Sequence, residues 1–269
     1  LRYKVASKLI VTEVAVPKVD VLGVSIGIVT KESAVEQLNF WRDHSDVARL
    51  VTFSTAHMLV EANKDPDFQK ILRQADLNCP DGAPVAWLAK LWSKKKLSRT
   101  SGPDFMPLFC KQGVALGHSH FIYGGGQGVA ESASKKMQEH FPGIKIAGWN
   151  SPPFRPLTPE EDLEVCRQIN DSGADFVWVC LGCPKQERWM FEHRQLLRVK
   201  GILAVGLAVD VMAGSQTRAP KFLQEIGLEW IYRLFQEPRR LWRRYLLTNF
   251  AFCYLVLREV LQSGSSRLN

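Results

Sequence analysis

The 269-residue sequence predicts an α/β fold, a mostly parallel sheet flanked by helices, with a helical appendage at its C-terminus. Two observations predict it. Short apolar runs of strand length alternate with stretches of helical period from residue 19 to residue 207, and such alternation builds a parallel sheet with helices on its faces. From Ala219 onward the alternation stops, and residues 220–261 carry only helical stretches rich in Arg, Trp, Tyr, Phe and Leu, broken at Pro238.

The elements follow in order. Residues 19–28 read as a first strand with a turn. Residues 33–44 read as a helix, because Val35, Leu38 and Trp41 fall on one face. Residues 50–54 form a short buried strand, and residues 57–63 begin a helix that Pro66 interrupts and residues 68–75 resume. Residues 76–79 are a strand ending at Pro80-Asp81-Gly82, residues 85–92 are helical, and Lys94-Lys95-Lys96 is a solvated face. In the second half, residues 120–123 are a strand running into the glycine-rich turn Gly124-Gly125-Gly126-Gln127-Gly128. A helix over 129–140 ends at Pro142-Gly143, and a strand spans 144–148. Residues 159–172 are a helix with Thr158 at the N-cap and Glu161 at the capping-box position. Residues 176–181 are a strand, 185–197 a helix and 202–207 a strand. The expected domains are a Rossmann-like core over 1–218 and an Arg- and aromatic-rich appendage over 219–269. Open parallel sheets bind ligands beyond the carboxyl ends of their strands, so the loops at Asp81, Gly124 and Gly182 are the places for a site.

Composition narrows the partners. The net charge of +8 favours nucleic acid, an anionic membrane surface or phosphorylated substrates. Much of that charge is local: Arg233, Arg239, Arg240, Arg243 and Arg244 stand close together among Trp230, Tyr232, Trp242 and Tyr245, a mixture suited to phosphates, an anionic lipid interface or RNA. It also suits a solvated helix face. The apolar stretch 250–257 falls short of the ~20 residues a spanning helix needs. The N-terminus, Leu1-Arg2-Tyr3-Lys4 onward, lacks the apolar centre of a signal peptide. Of the six cysteines only Cys180 and Cys183 are close, at a strand end and with no second such pair, so neither zinc nor a disulfide framework is expected and a reducing cytoplasm is. His118 and His120 precede a strand without an acidic partner nearby, which argues against a metal there.

Three loops carry candidate chemistry. Gly124 to Gly128 follows a strand and opens a helix, so its amides either cradle a phosphate or merely make a tight turn; it does not satisfy the dinucleotide fingerprint. Asp81 stands between a strand and a helix, where a carboxylate serves either as a helix cap or as a general base. Gly182-Cys183-Pro184-Lys185-Gln186-Glu187 opens a helix with Lys185 and Gln186 placed to hold phosphate or sugar hydroxyls, or simply exposed on a capped helix.

Taken together with Arg99-Thr100-Ser101-Gly102-Pro103-Asp104, Arg218-Ala219-Pro220, Gly227-Leu228-Glu229-Trp230 and Glu237-Pro238-Arg239-Arg240, these segments resemble the WecG/TagA/CpsF glycosyltransferase family over about residues 21–245. No single segment is specific; their ordered co-occurrence is. The resemblance implies an inverting, metal-independent transferase without cofactor. It would move a sugar of N-acetylmannosamine, N-acetylmannosaminuronic acid or glucose type from a UDP-sugar to an undecaprenyl-diphosphate-linked acceptor, in cell-surface polysaccharide synthesis. It implies Asp81 as base and Arg99 as a second catalytic residue, and Gln186 as a substrate contact. Arg233, Arg240 and Arg243 would complete the site when the appendage meets the inner face of the cytoplasmic membrane. The family's Thr-x-Asn after the second strand is altered here: Thr55 stands at the asparagine position and Phe53 at the threonine position, with Thr52 and Ser54 as substitutes after a small shift. That change bears on the sugar more than on the reaction. In the mechanism expected, amides of Gly124, Gly125 and Gly126 and the helix start at Lys185 hold the nucleotide, Thr55 contacts the sugar, and Arg99 with the arginines at 233–244 meets the negative charge of the leaving diphosphate. The rival classes are a nucleic-acid module using the basic tail and a nucleotide-cofactor oxidoreductase. The preferred reading needs no nucleic acid and leaves the oligomeric state open, a homo-oligomer included.

Overall fold

The computed structural model describes residues 15–263. The signal-peptide reading and the outer ends of both expected domains, residues 1–14 and 264–269, lie outside the described residues.

A hairpin comes first: β1 (Lys18–Val21) and β2 (Val24–Gly27) pair antiparallel. The expected first strand is therefore two, and neither joins the main sheet. The turn explains it. Leu22 and Gly23 both have positive φ, 53° and 78°, which suits the twist of a two-residue hairpin, and the Gly23 N–H donates to Asp20 Oδ1 at 2.9 Å.

Alternation then follows: α1 (Lys31–His44), β3 (Arg49–Ser54), α2 (Ala56–Lys64), α3 (Pro66–Gln74), β4 (Leu77–Pro80), α4 (Ala83–Ser93), α5 (Gly102–Leu116) and β5 (Ser119–Gly124). The second half runs α6 (Val129–His140), β6 (Lys145–Asn150), α7 (Pro159–Asp171), β7 (Phe176–Cys180), α8 (Lys185–His193), β8 (Gly201–Ala204) and α9 (Leu207–Ala213). The tail comprises α10 (Lys221–Glu225), α11 (Glu229–Gln236) and α12 (Pro238–Ser263). Strands β3 to β8 form one parallel sheet in the order β4-β3-β8-β7-β5-β6. Its inner strands are buried on both faces, which is why 176–180 and 201–204 read as unbroken apolar runs.

Local chemistry sets the boundaries. Asp65 ends α2 and caps α3 by accepting from the Phe68 N–H at 3.0 Å, with Pro66 preset for the first helical turn. Thr158 and Glu161 form the expected capping box of α7. Three expectations need correction. Residues 102–116, given no element from the sequence, are helix α5; Pro107 lies inside it and blurs its period. The helix expected to reach residue 197 ends at His193, where the N–H groups of Leu196 and Leu197 both turn back onto the His193 carbonyl. The strand expected over 202–207 stops at Ala204, because Gly206, with φ of 49°, turns the chain into α9.

Apolar clusters fill both faces of the sheet. One holds Phe105, Phe109, Phe176 and Trp178, and His118 and His120 sit inside it. Trp178 Nε1 donates to His120 Nδ1 at 3.2 Å, and burial pushes the two rings down to about 4 and about 3, so both are neutral core residues. Burying a side chain such as Leu203 or Phe176 in full contributes about 1.5–3 kcal/mol. All six cysteines are free. The tail is part of this packing. Helix α12 lies along α2, Phe252 and Leu255 are buried with Met58 and Leu59, and the Leu22 N–H donates to Glu259 Oε2 at 3.1 Å. Its other face leaves Trp242, Leu247, Phe250, Tyr254, Leu257 and Leu261 exposed. Among the described residues no helix is long and apolar enough to cross a membrane.

Candidate active site

The carboxyl ends of β3, β4, β5, β7 and β8 lie along one edge of the sheet, and the three expected loops leave from that edge, Asp81 after β4, Gly124 at the end of β5 and Gly182 after β7, with β3, β8 and β7 standing between β4 and β5. Asp81 follows β4 directly. Its N–H and that of Gly82 both donate to the Ser54 carbonyl at the end of β3, at 3.0 and 3.3 Å. The N-cap of α4 is Gly82, not Asp81, so the cap reading of Asp81 falls away and its carboxylate is left for other work. That side chain is 20% exposed. Burial pushes its carboxyl up to about 6; Arg99 and the Gly102 N–H oppose the rise, while Glu229 and Asp104 add to it.

Arg99 reaches Asp81 from the loop before α5. Its Nε donates to the Asp81 carbonyl at 2.6 Å, its Nη1 to the Gln224 carbonyl at 3.1 Å, and its Nη2 to Glu229 Oε2 at 2.5 Å. Each nitrogen of the guanidinium is thus engaged by protein. Arg218 holds Glu229 from the other side, Nε to Oε1 at 3.1 Å, and pairs with Asp104 Oδ1 at 2.6 Å. Asp104 in turn accepts from Ser101 Oγ at 2.5 Å. Two stretches far apart in the chain, residues 81–104 and 218–229, therefore form one alternating line of charges.

The residues after β3 divide. The Thr52 hydroxyl is buried and donates to Asn78 Oδ1. Phe53 is buried against Phe105, with ring centroids 5.3 Å apart. Ser54 is buried at the strand end, and its hydroxyl meets no hydrogen-bond partner among the described residues. Thr55 is half-buried and caps α2 by accepting from the Met58 N–H at 3.4 Å. Position 53, where the resemblance expects a threonine, thus faces the core, and Phe53 fills it.

At Gly124 the need for glycine is steric: a Cβ there would lie 2.3 Å from the Cys180 carbonyl oxygen, at a φ of 108°. The Gly125 N–H donates to that same oxygen at 2.7 Å, so this amide is committed within the fold. On α8, Lys185 is exposed and Gln186 buried. Gln186 Oε1 accepts from the Gly182 N–H at 3.2 Å and its Nε2 donates to Glu187 Oε1 at 2.7 Å, so it braces its own loop. Burial pushes Glu187 up to about 7.

The tail arginines differ among themselves. Arg233 is half-buried, Arg240 is exposed and pairs with Glu237, and Arg243 is exposed with its guanidinium 5.2 Å from the Trp242 ring centre. Arg233 and Arg240 place positive charge near Asp210, whose carboxyl burial raises and whose bond from Cys180 Sγ, 3.6 Å away, pulls back. Asp210 was not foreseen, and neither was the joining of Asp104, Arg218 and Glu229 to Arg99. The available signal was that Arg99, Asp104, Arg218 and Glu229 all lie within the segments quoted above.

A parallel sheet with a carboxylate near neutrality at its carboxyl edge is the framework of an α/β enzyme acting on a ligand above the strand ends. The family can be stated more closely. The family model described as "Glycosyl transferase WecG/TagA/CpsF family" matches residues 19–266, and the chain belongs to that family. A Bacillus spizizenii protein named N-acetylglucosaminyldiphosphoundecaprenol N-acetyl-beta-D-mannosaminyltransferase is 33% identical over 186 residues, 69% of this chain and 70% of the relative. A Bacillus subtilis protein of the same name is 31% identical over 198 residues, 74% and 75% of the two chains. The enzyme class is therefore glycosyltransferase, not nucleic-acid module or oxidoreductase.

Proposed function

We propose that the enzyme transfers a hexose or N-acetylhexosamine from a UDP-sugar to an undecaprenyl-diphosphate-linked sugar, with inversion and without a metal, in cell-surface polysaccharide synthesis. The observation that carries the reading is Asp81, a carboxylate at the strand-end edge held at about 6 by burial. Such a group is ionised at neutral pH yet basic enough to take a proton from a sugar hydroxyl. The relatives' printed names support an N-acetylglucosamine-diphosphate lipid as acceptor and N-acetylmannosamine as the sugar moved.

In this reading the acceptor hydroxyl gives its proton to Asp81 as its oxygen attacks the anomeric carbon, and the bond to UDP breaks on the opposite side. The developing negative charge on the UDP diphosphate meets cations aimed at it, a contribution of a few kcal/mol; Arg233, Arg240, Arg243 and Lys185 are assigned to it. Arg99, engaged through all three nitrogens, orients Asp81 rather than the phosphates. Thr55 faces the sugar, and Gln186 braces its own loop. The segment 219–269 acts as a docking appendage. The exposed apolar face of α12, flanked by Arg239, Arg243 and Arg258, would sit in the anionic inner face of the membrane, where the lipid-linked acceptor lies.

The test is direct. The full chain is incubated with UDP-N-acetylmannosamine, UDP-N-acetylmannosaminuronic acid or UDP-glucose and an N-acetylglucosamine-diphosphate lipid, and products are read by mass. One donor should add one sugar unit, with none added by Asp81→Asn. No product from any donor would overturn the reading.

A further inference from the structure

Arg99 Nη2 lies between two carboxylates. It is 2.5 Å from Glu229 Oε2 and 3.8 Å from Asp81 Oδ1. The same guanidinium holds the Asp81 backbone carbonyl through Nε. Two of its three anchors, the Glu229 carboxylate and the Gln224 carbonyl, belong to the tail. Glu229 opens α11 and is itself clamped by Arg218, and the Glu229 and Arg218 side chains are only 13% and 15% exposed.

We propose that Glu229 is a positioning residue for Asp81: it draws the Arg99 guanidinium off the Asp81 carboxylate, so that the base is free only while the start of α11 is seated at the sheet edge. The inference rests on Asp81 being the base. Arg99 has nowhere better to go without Glu229. Its Nη2 would lose its charged partner, and the nearest carboxylate left to it is that of Asp81. Pairing there would occupy the oxygens that must accept the acceptor's proton and would favour the ionised, less basic form. The groups facing Asp81 are Arg99, Glu229, Asp104, the Cys79 thiol and the Gly102 N–H. Neutralising Glu229 removes a negative charge and lets a positive one approach, and both changes lower the midpoint at which Asp81 titrates. Lifting α11 would do the same, so the tail's position is read out at the base through Arg99.

The experiment is a carboxyl-carbon NMR titration of the full chain without substrate, with Asp81→Asn identifying the resonance. Glu229→Gln should lower the Asp81 midpoint by about one pH unit or more, the effect of a guanidinium closing on a carboxylate. Glu229→Asp, whose carboxylate retreats by one methylene, should give a smaller fall of the same sign, and it serves if Glu229→Gln does not fold. Arg218→Gln removes ion pairs from the same cluster but leaves Arg99 on Glu229, so its midpoint should stay level or rise. A midpoint at or above wild type in both Glu229 variants overturns the proposal. An equal fall in Arg218→Gln also overturns it, since the effect would then be general loosening. The acid limb of kcat/KM should move with the midpoint. A midpoint that falls while transfer is unchanged would uphold the placement of Arg99 by Glu229 and remove Asp81 as the base.

Discussion

Asp81→Asn should abolish turnover and yet make the protein more stable. The carboxyl moves from an ordinary 3.8 to about 6 in the fold, with burial as the largest cause. That is a shift of about 2 units, and at about 1.4 kcal/mol per unit the folded state carries a cost of up to ~3 kcal/mol whenever Asp81 is ionised. The sign is the reverse of a salt-bridged aspartate. Below about pH 4 both folded and unfolded forms are protonated and the cost is absent; as pH rises toward 6 the unfolded form ionises first, and stability falls through that window. Asparagine has the same shape and no charge to bury. Because the side chain is 20% exposed, solvent screens part of the cost, and about 1–3 kcal/mol is expected back at about pH 8. For a chain of this size that is a rise in Tm of a few degrees. Thermal unfolding at about pH 4 and about pH 8 checks it: the two proteins should coincide at the lower pH and separate at the higher. Turnover should fall by ~10²-fold or more. An Asp81→Asn protein less stable than wild type at high pH, or one retaining a third of its turnover, would refute the account of a strained buried base.

Other outcomes are expected. Transfer should survive EDTA in full, since the diphosphate charge is assigned to arginine and lysine side chains; loss with EDTA and return with Mg²⁺ would assign it to a metal ion. Replacing exposed Leu247 and Phe250 with Glu should abolish sedimentation with anionic vesicles and leave the fold intact, because neither side chain is in the core; undiminished binding would show that α12 is not the docking face. Gly124→Ala should cost about 2 kcal/mol or more, given a Cβ 2.3 Å from the Cys180 oxygen at positive φ, and chemical denaturation at constant m-value would measure it.

Strands β3, β7 and β8 were legible because each is a short, mostly apolar run. Helix caps such as Thr158 with Glu161 were legible too, since a cap is a contact between residues three apart. Helix α5 was not: Gly102, Pro103 and Pro107 interrupt the pattern that reveals a helix, although the first two only start it. At the site, Asp81 was legible as a carboxylate at a strand end, but not its freedom from capping, which depends on Gly82 taking that position. The network that surrounds it was illegible in principle. Arg99 and Glu229 are 130 positions apart, and no local period or spacing encodes an ion pair over that distance.

The place of β8 has a consequence for how the molecule is made. It is the last strand of the sheet in the chain, yet it sits in the middle, between β3 and β7. Until residues 201–204 arrive, β3 with β4 and β7 with β5 and β6 are separate half-sheets, each with an open apolar edge. Closing the sheet joins Arg49 to Gly201, far apart in the chain, a late contact of the kind that slows folding. During synthesis the exposed edges are the sites at which nascent chains would pair wrongly with one another, and a chaperone that shields them must hold on until β8 has slotted in.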